Sequence, residues 1–255
     1  MIHFVGAGSG AADLITVRGK GLLKQADVII YAGSLVNPEL LSCNKDTCVV
    51  YNSALMTLEE VVKVMLEAEE KGLTTVRLHT GDPCLYGAIR EQMDILDEKG
   101  VPYDSCPGVS AFCGAAAVLN LEYTLPDVSQ SVIITRMAGR TPVPERESIR
   151  SFSAHRATMV LFLSTGLLEP LSAELIAGGY DACTPAAIVY KATWPDERKC
   201  ICTVGTLAQC AKENGITKTA LIIVGDAVRH TDYRRSDLYN PDFATGFRDA
   251  KRVTE

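Results

Sequence analysis

Short apolar runs alternate with longer stretches of helical period along the first half of the chain. Residues 2–6 (IHFVG) form a compact apolar run closed by glycine, the pattern of a buried strand. Residues 14–25 then read as helix and 28–31 as a second strand. The clearest helix covers 58–71, where Leu58, Val61, Val62, Met65 and Leu66 recur at helical spacing and Gly72 supplies the stop. A third strand at 75–80 and a helix at 88–99, closed by Gly100, continue the alternation. Residues 110–119 form a helix of small side chains that can pack closely on its neighbours. This succession predicts an α/β fold, with mostly parallel sheet covered by helices.

Near Leu125-Pro126 the pattern restarts. Strands are expected at 131–136, 158–163, 186–190 and 220–224. Helices are expected at 167–177, stopped by Gly178-Gly179, and at 207–214. The expected organisation is an N-terminal α/β domain at 1–124, a C-terminal α/β domain at 125–228 and a polar, extended or frayed tail at 229–255.

Composition narrows the function classes. The 255 residues carry 25 Lys+Arg against 31 Asp+Glu, a net charge of −6, and 47% are hydrophobic. That length can bury a core without disulfide or metal staples. The acidic balance lacks the basic face that nucleic acid or an anionic membrane surface would require. No apolar run reaches about 18 residues, so no membrane-spanning helix is expected. The opening MIHFVGAGSG lacks the pattern of a secretory leader. Nine cysteines, odd in number and scattered, read as reduced thiols in a cytoplasmic protein. Cys200 and Cys202 would share one face of a strand, with no further ligands nearby to make a metal site.

The first strand runs into Gly6-Ala7-Gly8-Ser9-Gly10-Ala11, which fits the G-x-G-x-x-A dinucleotide pattern. That pattern also needs an acid at the end of the second strand to hold the ribose. Here the strand ends Tyr31-Ala32-Gly33, and Asp27 lies before it. A nicotinamide oxidoreductase therefore lacks its second leg. Two further loops, Gly81–Gly87 and Pro107–Ala111, also follow strand positions, so three loops are expected to converge on one site. Asp82 is either a cap for the next helix or a ligand contact. The four histidines are isolated, and there is no G-x-S-x-G elbow and no lysine-bearing phosphate loop. Those absences favour chemistry by alignment of two reactive molecules over chemistry by an activated side chain.

VGAGSGAADLITVRG (5–19), GDPCLYG (81–87) and PGVSA (107–111), in this order, resemble the tetrapyrrole methylase family. YAGSLVNPELL (31–41), ITRMAGRTPVPE (134–145) and VYKATWPDE (189–197) are similar to its precorrin-4 C-11 methyltransferase branch, cobalt form included. The resemblance implies a two-domain α/β protein with a cleft between lobes, a homodimer, and methyl transfer from S-adenosylmethionine to C-11 of (cobalt-)precorrin-4 in corrin-ring biosynthesis. S-adenosylhomocysteine would be the second product. Another ring position on the same scaffold is the alternative. By motif, the donor contacts would be Thr80, Gly81, Asp82, Leu85, Ser110, Ala111, Met137 and Ala192, with Leu163 and Ala187 placed by strand alignment. The family's first loop commonly reads GAGPGD, and here Ser9 and Ala11 replace Pro and Asp. The place of a proton acceptor proposed in related methylases is Ala32 here, so no catalytic base is assigned.

A tetrapyrrole with several carboxylates calls for cations, and Arg can grip carboxylates in bidentate fashion. Residues 131–158 hold Arg136, Arg140, Arg146, Arg150 and Arg156 against Glu145 and Glu147, a local balance of 5 − 2 = +3. Arg136 and Arg140 flank Met137-Ala138-Gly139 and are the expected substrate clamp, the other three being surface. Tyr86 is expected to face the flat macrocycle, and Lys191 and Arg18 are secondary candidates.

Overall fold

A computed structural model describes residues 1–42, 44–229 and 233–251. The chain divides into two compact units: Met1–Val118 with Lys191–Arg198, and Leu119–Tyr190 with the chain from Lys199 onward. Among the described residues, no helix is long and apolar enough to cross a membrane.

The first unit contains β1 (Ile2–Gly6), α1 (Val17–Gln25), β2 (Val28–Tyr31), β3 (Val49–Asn52), α2 (Leu58–Glu70), β4 (Thr75–His79), α3 (Arg90–Glu98) and β5 (Tyr103–Cys106). Helix α4 (Ala111–Leu119) leads out of it. The strands form one sheet in the order β3-β2-β4-β1-β5, and every pair is parallel. Both faces are covered, as a parallel sheet requires. Val5, Ile29, Val76 and Leu78 pack with Ile15 and Leu23 on one side. Ile2, Phe4, Val28 and Ile30 pack with α2 and α3 residues Val61, Met65, Met93 and Leu96 on the other.

Local chemistry sets the helix starts. Thr16 accepts a hydrogen bond from the Gly19 amide at 3.0 Å and caps α1, so the helix begins at Val17 rather than at Leu14. Thr57 and Glu60 close a capping box on α2, and Gly72 takes φ 66° just past its end. Strands β3 and β5 escape periodicity because they are sheet edges. Val49 and Val50 are exposed, and β5 reads YDSC, so neither is a buried apolar run.

The second unit contains β6 (Val132–Arg136), α5 (Ile149–Ser153), β7 (Thr158–Phe162), α6 (Leu168–Gly178), β8 (Pro185–Tyr190), β9 (Arg198–Thr203), α7 (Leu207–Glu213) and β10 (Ala220–Val224). Its sheet order is β6-β7-β10-β8-β9. β6 and β7 are parallel, whereas β10 runs antiparallel to both β7 and β8, so this sheet is mixed. β9 alternates half-buried Cys200 and Cys202 with Ile201, which is 60% exposed. The two thiols share a face as expected, pack on the core beside Cys210, and are pushed up by burial, Cys200 to about 12 and Cys202 further. They are inert packing groups. Within the described part of the expected tail, Arg234 reaches Asp127 at 3.1 Å and Arg248 donates to the carbonyls of Leu238, Asn240 and Phe243.

Candidate functional site

Parallel strands bring their carboxyl ends to one edge, and register puts the three loops of the first unit level. Gly6 faces His79 across β1 and β4, and Val5 faces Cys106 across β1 and β5. Chain order reverses between β1 and β4: β1 leads toward β2 on one side, and β4 leads to β5 on the other. Such a switch point is where open α/β sheets bind ligands.

At that point the loops touch through glycine. A Cβ on Gly6 would lie 2.6 Å from Gly108 Cα and from the Gly81 carbonyl oxygen. A Cβ on Gly108 would lie 2.1 Å from the same oxygen. Ala7 and Gly8 donate their amides to the carbonyls of His79 (2.7 Å) and Gly81 (3.2 Å), and Gly81 donates back to Gly8 at 2.8 Å. Asp82 ties in the third loop, with one carboxylate oxygen accepting from the Cys84 amide at 2.8 Å and the other from Gly108 at 2.9 Å. Burial raises the Asp82 carboxyl, but the bonds from Cys84 and Gly108 outweigh it and hold the group below the ordinary aspartate value. Asp82 is therefore a staple between two loops rather than a helix cap.

The resemblance to a dinucleotide loop ends here. The amides of Ala7 and Gly8 bond to β4 and its loop, and that of Ala11 bonds to Thr193 Oγ1 at 3.0 Å. Those donors are not directed at a phosphate. Asp27 sits at the opposite end of β2, bonded to Lys45 Nζ at 2.8 Å and the Thr74 amide at 2.9 Å.

Thr80 is exposed, Gly81 is buried at φ 59°, and Gly81 abuts the amide of Ala111 where α4 begins. Ser110 is buried, Leu85 is half-buried, and Tyr86 is 46% exposed with φ 56°. In the second unit, Met137 packs on the core and its amide bonds Ser164 Oγ at 2.9 Å. Leu163 is 70% exposed with φ 52°. Ala187 is fully buried in β8 opposite Ile223, so its side chain offers no surface to a ligand. Arg136 donates to the carbonyls of Thr141 (3.2 Å) and Pro142 (2.7 Å), holding its own loop in shape. Arg140, at the tip of that loop, is exposed and has no ion-pair partner among the described residues. Arg150 pairs with Glu174 and Arg146 with Glu147.

Residues 1–208 match the family of Tetrapyrrole (Corrin/Porphyrin) Methylases. The chain belongs to the tetrapyrrole methylase family. It is 49% identical over 247 residues to the cobalt-precorrin-4 C(11)-methyltransferase of Methanocaldococcus jannaschii, covering 97% of this chain and 95% of that one. A crystal structure of a cobalt-precorrin-4 methyltransferase of cobalamin biosynthesis superposes with a TM-score of 0.87 at 46% identity, over 89% of this chain and 95% of that one. The uroporphyrin-III C-methyltransferase of Thermus thermophilus, solved with S-adenosylhomocysteine, matches with a TM-score of 0.74 at 26% identity, over 90% and 99%.

Sequence reasoning missed one element of this methylase. Lys191–Arg198 belongs to the first unit, where Thr193 Oγ1 pairs with Ser9 Oγ at 3.1 Å and accepts from Ala11. Gly10 is required there, since a Cβ would lie 2.2 Å from Trp194 Cδ1. Glu197 holds the Thr193 amide at 2.6 Å, and Lys191 lies 5.1 Å over the Trp194 ring. Ala192 is buried against Gly114 of α4. The available signals were Gly10 and the departure of Ser9 from the family's proline. A hydroxyl at Ser9 has a partner in Thr193.

Proposed function

We propose that this methylase transfers a methyl group from S-adenosylmethionine to C-11 of precorrin-4, free or cobalt-bearing. The observation that carries the reading is a match to relatives of that activity over nearly the whole chain, with the motif loops brought together at the β1/β4 switch point. Any cobalt is part of the substrate.

The residues present fit the donor. An adenosyl group and a methionine arm need apolar surface and backbone hydrogen-bonding groups, and the loop edge offers both: exposed Thr80, half-buried Leu85 and Ala111, and the glycine backbone. Thr80, Gly81, Asp82, Leu85, Ser110, Ala111, Ala192, Met137 and Leu163 are proposed as the donor contacts. Each Asp82 oxygen accepts one backbone amide and keeps a second lone pair, so the carboxylate shapes the loop and still has acceptor capacity for the donor. When bound, S-adenosylmethionine supplies an electrophilic methyl on a sulfonium.

The protein's own work is alignment and exclusion of water. Orientation of this kind is worth on the order of 7–11 kcal/mol of barrier. Tyr86 and Leu163 are non-glycine residues held at φ 56° and 52°, and both are exposed. Strain retained at exposed apolar side chains fits surfaces kept for a ligand. Arg140 is proposed to meet a substrate carboxylate, and Arg136 to position the loop that presents it. We propose a cytoplasmic homodimer, which size-exclusion chromatography with light scattering tests.

The deciding experiment incubates the purified chain with S-adenosylmethionine and each form of precorrin-4. The expected product gains one methyl, placed at C-11 by NMR. A methyl at another ring carbon assigns the chain to the alternative branch, and no methylation of either form refutes the proposal.

A further inference from the structure

Strand β4 carries a cation that has no ion-pair partner among the described residues. Arg77 alternates with Val76 and Leu78, so it points to the α2/α3 face of the sheet, and it is only 6% exposed. Its Nε donates to Gln92 Oε1 at 3.2 Å and its Nη1 to the Ile30 carbonyl at 3.1 Å. Both acceptors are neutral. Arg77 is in none of the ion pairs formed among the described residues, and burial alone pulls the guanidinium down to about 10. The neighbouring His79 cannot compensate: burial, then the Arg77 charge, hold it neutral, down to about 3. An isolated buried cation is costly unless something anionic meets it.

Arg77 also lines a cavity of about 180 Å³ at the carboxyl edge of the sheet. Ser53, Thr57, Leu58, Gly87 and Gln92 share the lining, and the exposed carboxylate of Glu91 stands at its rim. The start of α2 is not the anion site, because its own capping box already covers it. What the cavity offers is the remaining guanidinium donors, since the Ser53 hydroxyl already donates to the Tyr31 carbonyl and the Thr57 oxygen accepts the Glu60 amide.

We propose that this cavity is a carboxylate-binding subsite centred on Arg77. A planar guanidinium suits a carboxylate, and the volume admits one with a short alkyl stem. The loop from Gly81 to Ala88 runs from the switch point to the cavity, and Gln92 bonds both Arg77 and the Ala88 carbonyl (2.8 Å). Resting on the function proposed above, the carboxylate is an acetate or propionate arm of the tetrapyrrole. A free short-chain carboxylate is the other source of the same chemistry.

Removing Arg77 would also remove its bonds to Gln92 and Ile30, so the test leaves it in place and fills the cavity with Leu58→Trp. Sodium propionate is the probe, with sodium chloride at equal ionic strength as control. Propionate is expected to raise the thermal midpoint of the full chain, and Leu58→Trp to abolish that rise without lowering the midpoint itself. The tetrapyrrole KM of the variant should rise about tenfold to a hundredfold, with unchanged affinity for S-adenosylmethionine. A lost propionate effect with unchanged KM supports the subsite and assigns it to the free carboxylate. This arm is readable even if methyl transfer to precorrin-4 fails. A wild-type midpoint indifferent to propionate, together with an unchanged KM in Leu58→Trp, overturns the proposal and leaves Arg77 as a brace for the loop.

Discussion

Replacing Asp82 with alanine separates a loop staple from a direct donor contact. The wild-type carboxylate accepts two amide hydrogen bonds, at 2.8 and 2.9 Å. Bonds to a charged acceptor contribute roughly 1.5–3 kcal/mol each. The Asp82 side chain is half-exposed, so each bond is taken at or below the lower end of that range, at about 1–1.5 kcal/mol. The expected loss is about 2–3 kcal/mol, or roughly 4–12 °C in the midpoint of a chain this size. Linkage gives a second signature. The folded carboxyl lies below its unfolded value, so its contribution is complete above the unfolded pKa of about 3.9 and fades as pH falls through the folded one. Urea unfolding of both proteins at neutral pH and in acid measures this. The gap should be constant above about pH 5 and close in acid. A variant within about 0.5 kcal/mol of wild type at neutral pH would refute the staple. If such a variant also bound S-adenosylmethionine more weakly, Asp82 would be a direct contact.

Gly10→Ala should expel the Lys191–Arg198 segment from its seat, since the new Cβ would overlap Trp194. Trp194 is the sole tryptophan, so a red shift of its emission reports the displacement, and an unchanged spectrum contradicts it. Leu163→Gly removes a left-handed strain of about 1 kcal/mol, so stability should hold or rise while donor affinity falls. Unchanged affinity by calorimetry would remove Leu163 from the donor contacts. Arg140→Ala should leave stability within about 0.5 kcal/mol, raise the tetrapyrrole KM and flatten its salt dependence. Arg136→Ala should do the same and also loosen residues 137–142, seen as faster amide exchange there; equal exchange in both variants would refute its positioning role.

Much of both units is legible in the linear pattern. β1, β2 and β10 fall at the residues where the apolar runs place them, because a strand buried on both faces has no polar positions to obscure it. Helix ends follow from caps and glycine stops, which act within a few residues. The convergence of three glycine loops is also inferable, since parallel strands must end at one edge. The edge strands β3, β5 and β9 are not, because one open side permits polar residues.

Local period and motifs along the chain carry the α/β alternation, the glycine-rich loops and the family. The tertiary structure decided what distant residues do to one another. It alone moved Lys191–Arg198 onto the first glycine loop, reversed β10 between two neighbours, and tied Asp82 to the amide of Gly108. It also enclosed Arg77 beside a cavity, with no ion-pair partner among the described residues. The physical reason is common to these. Each depends on a contact between residues far apart in the chain, and neither spacing nor composition carries information about which distant group arrives.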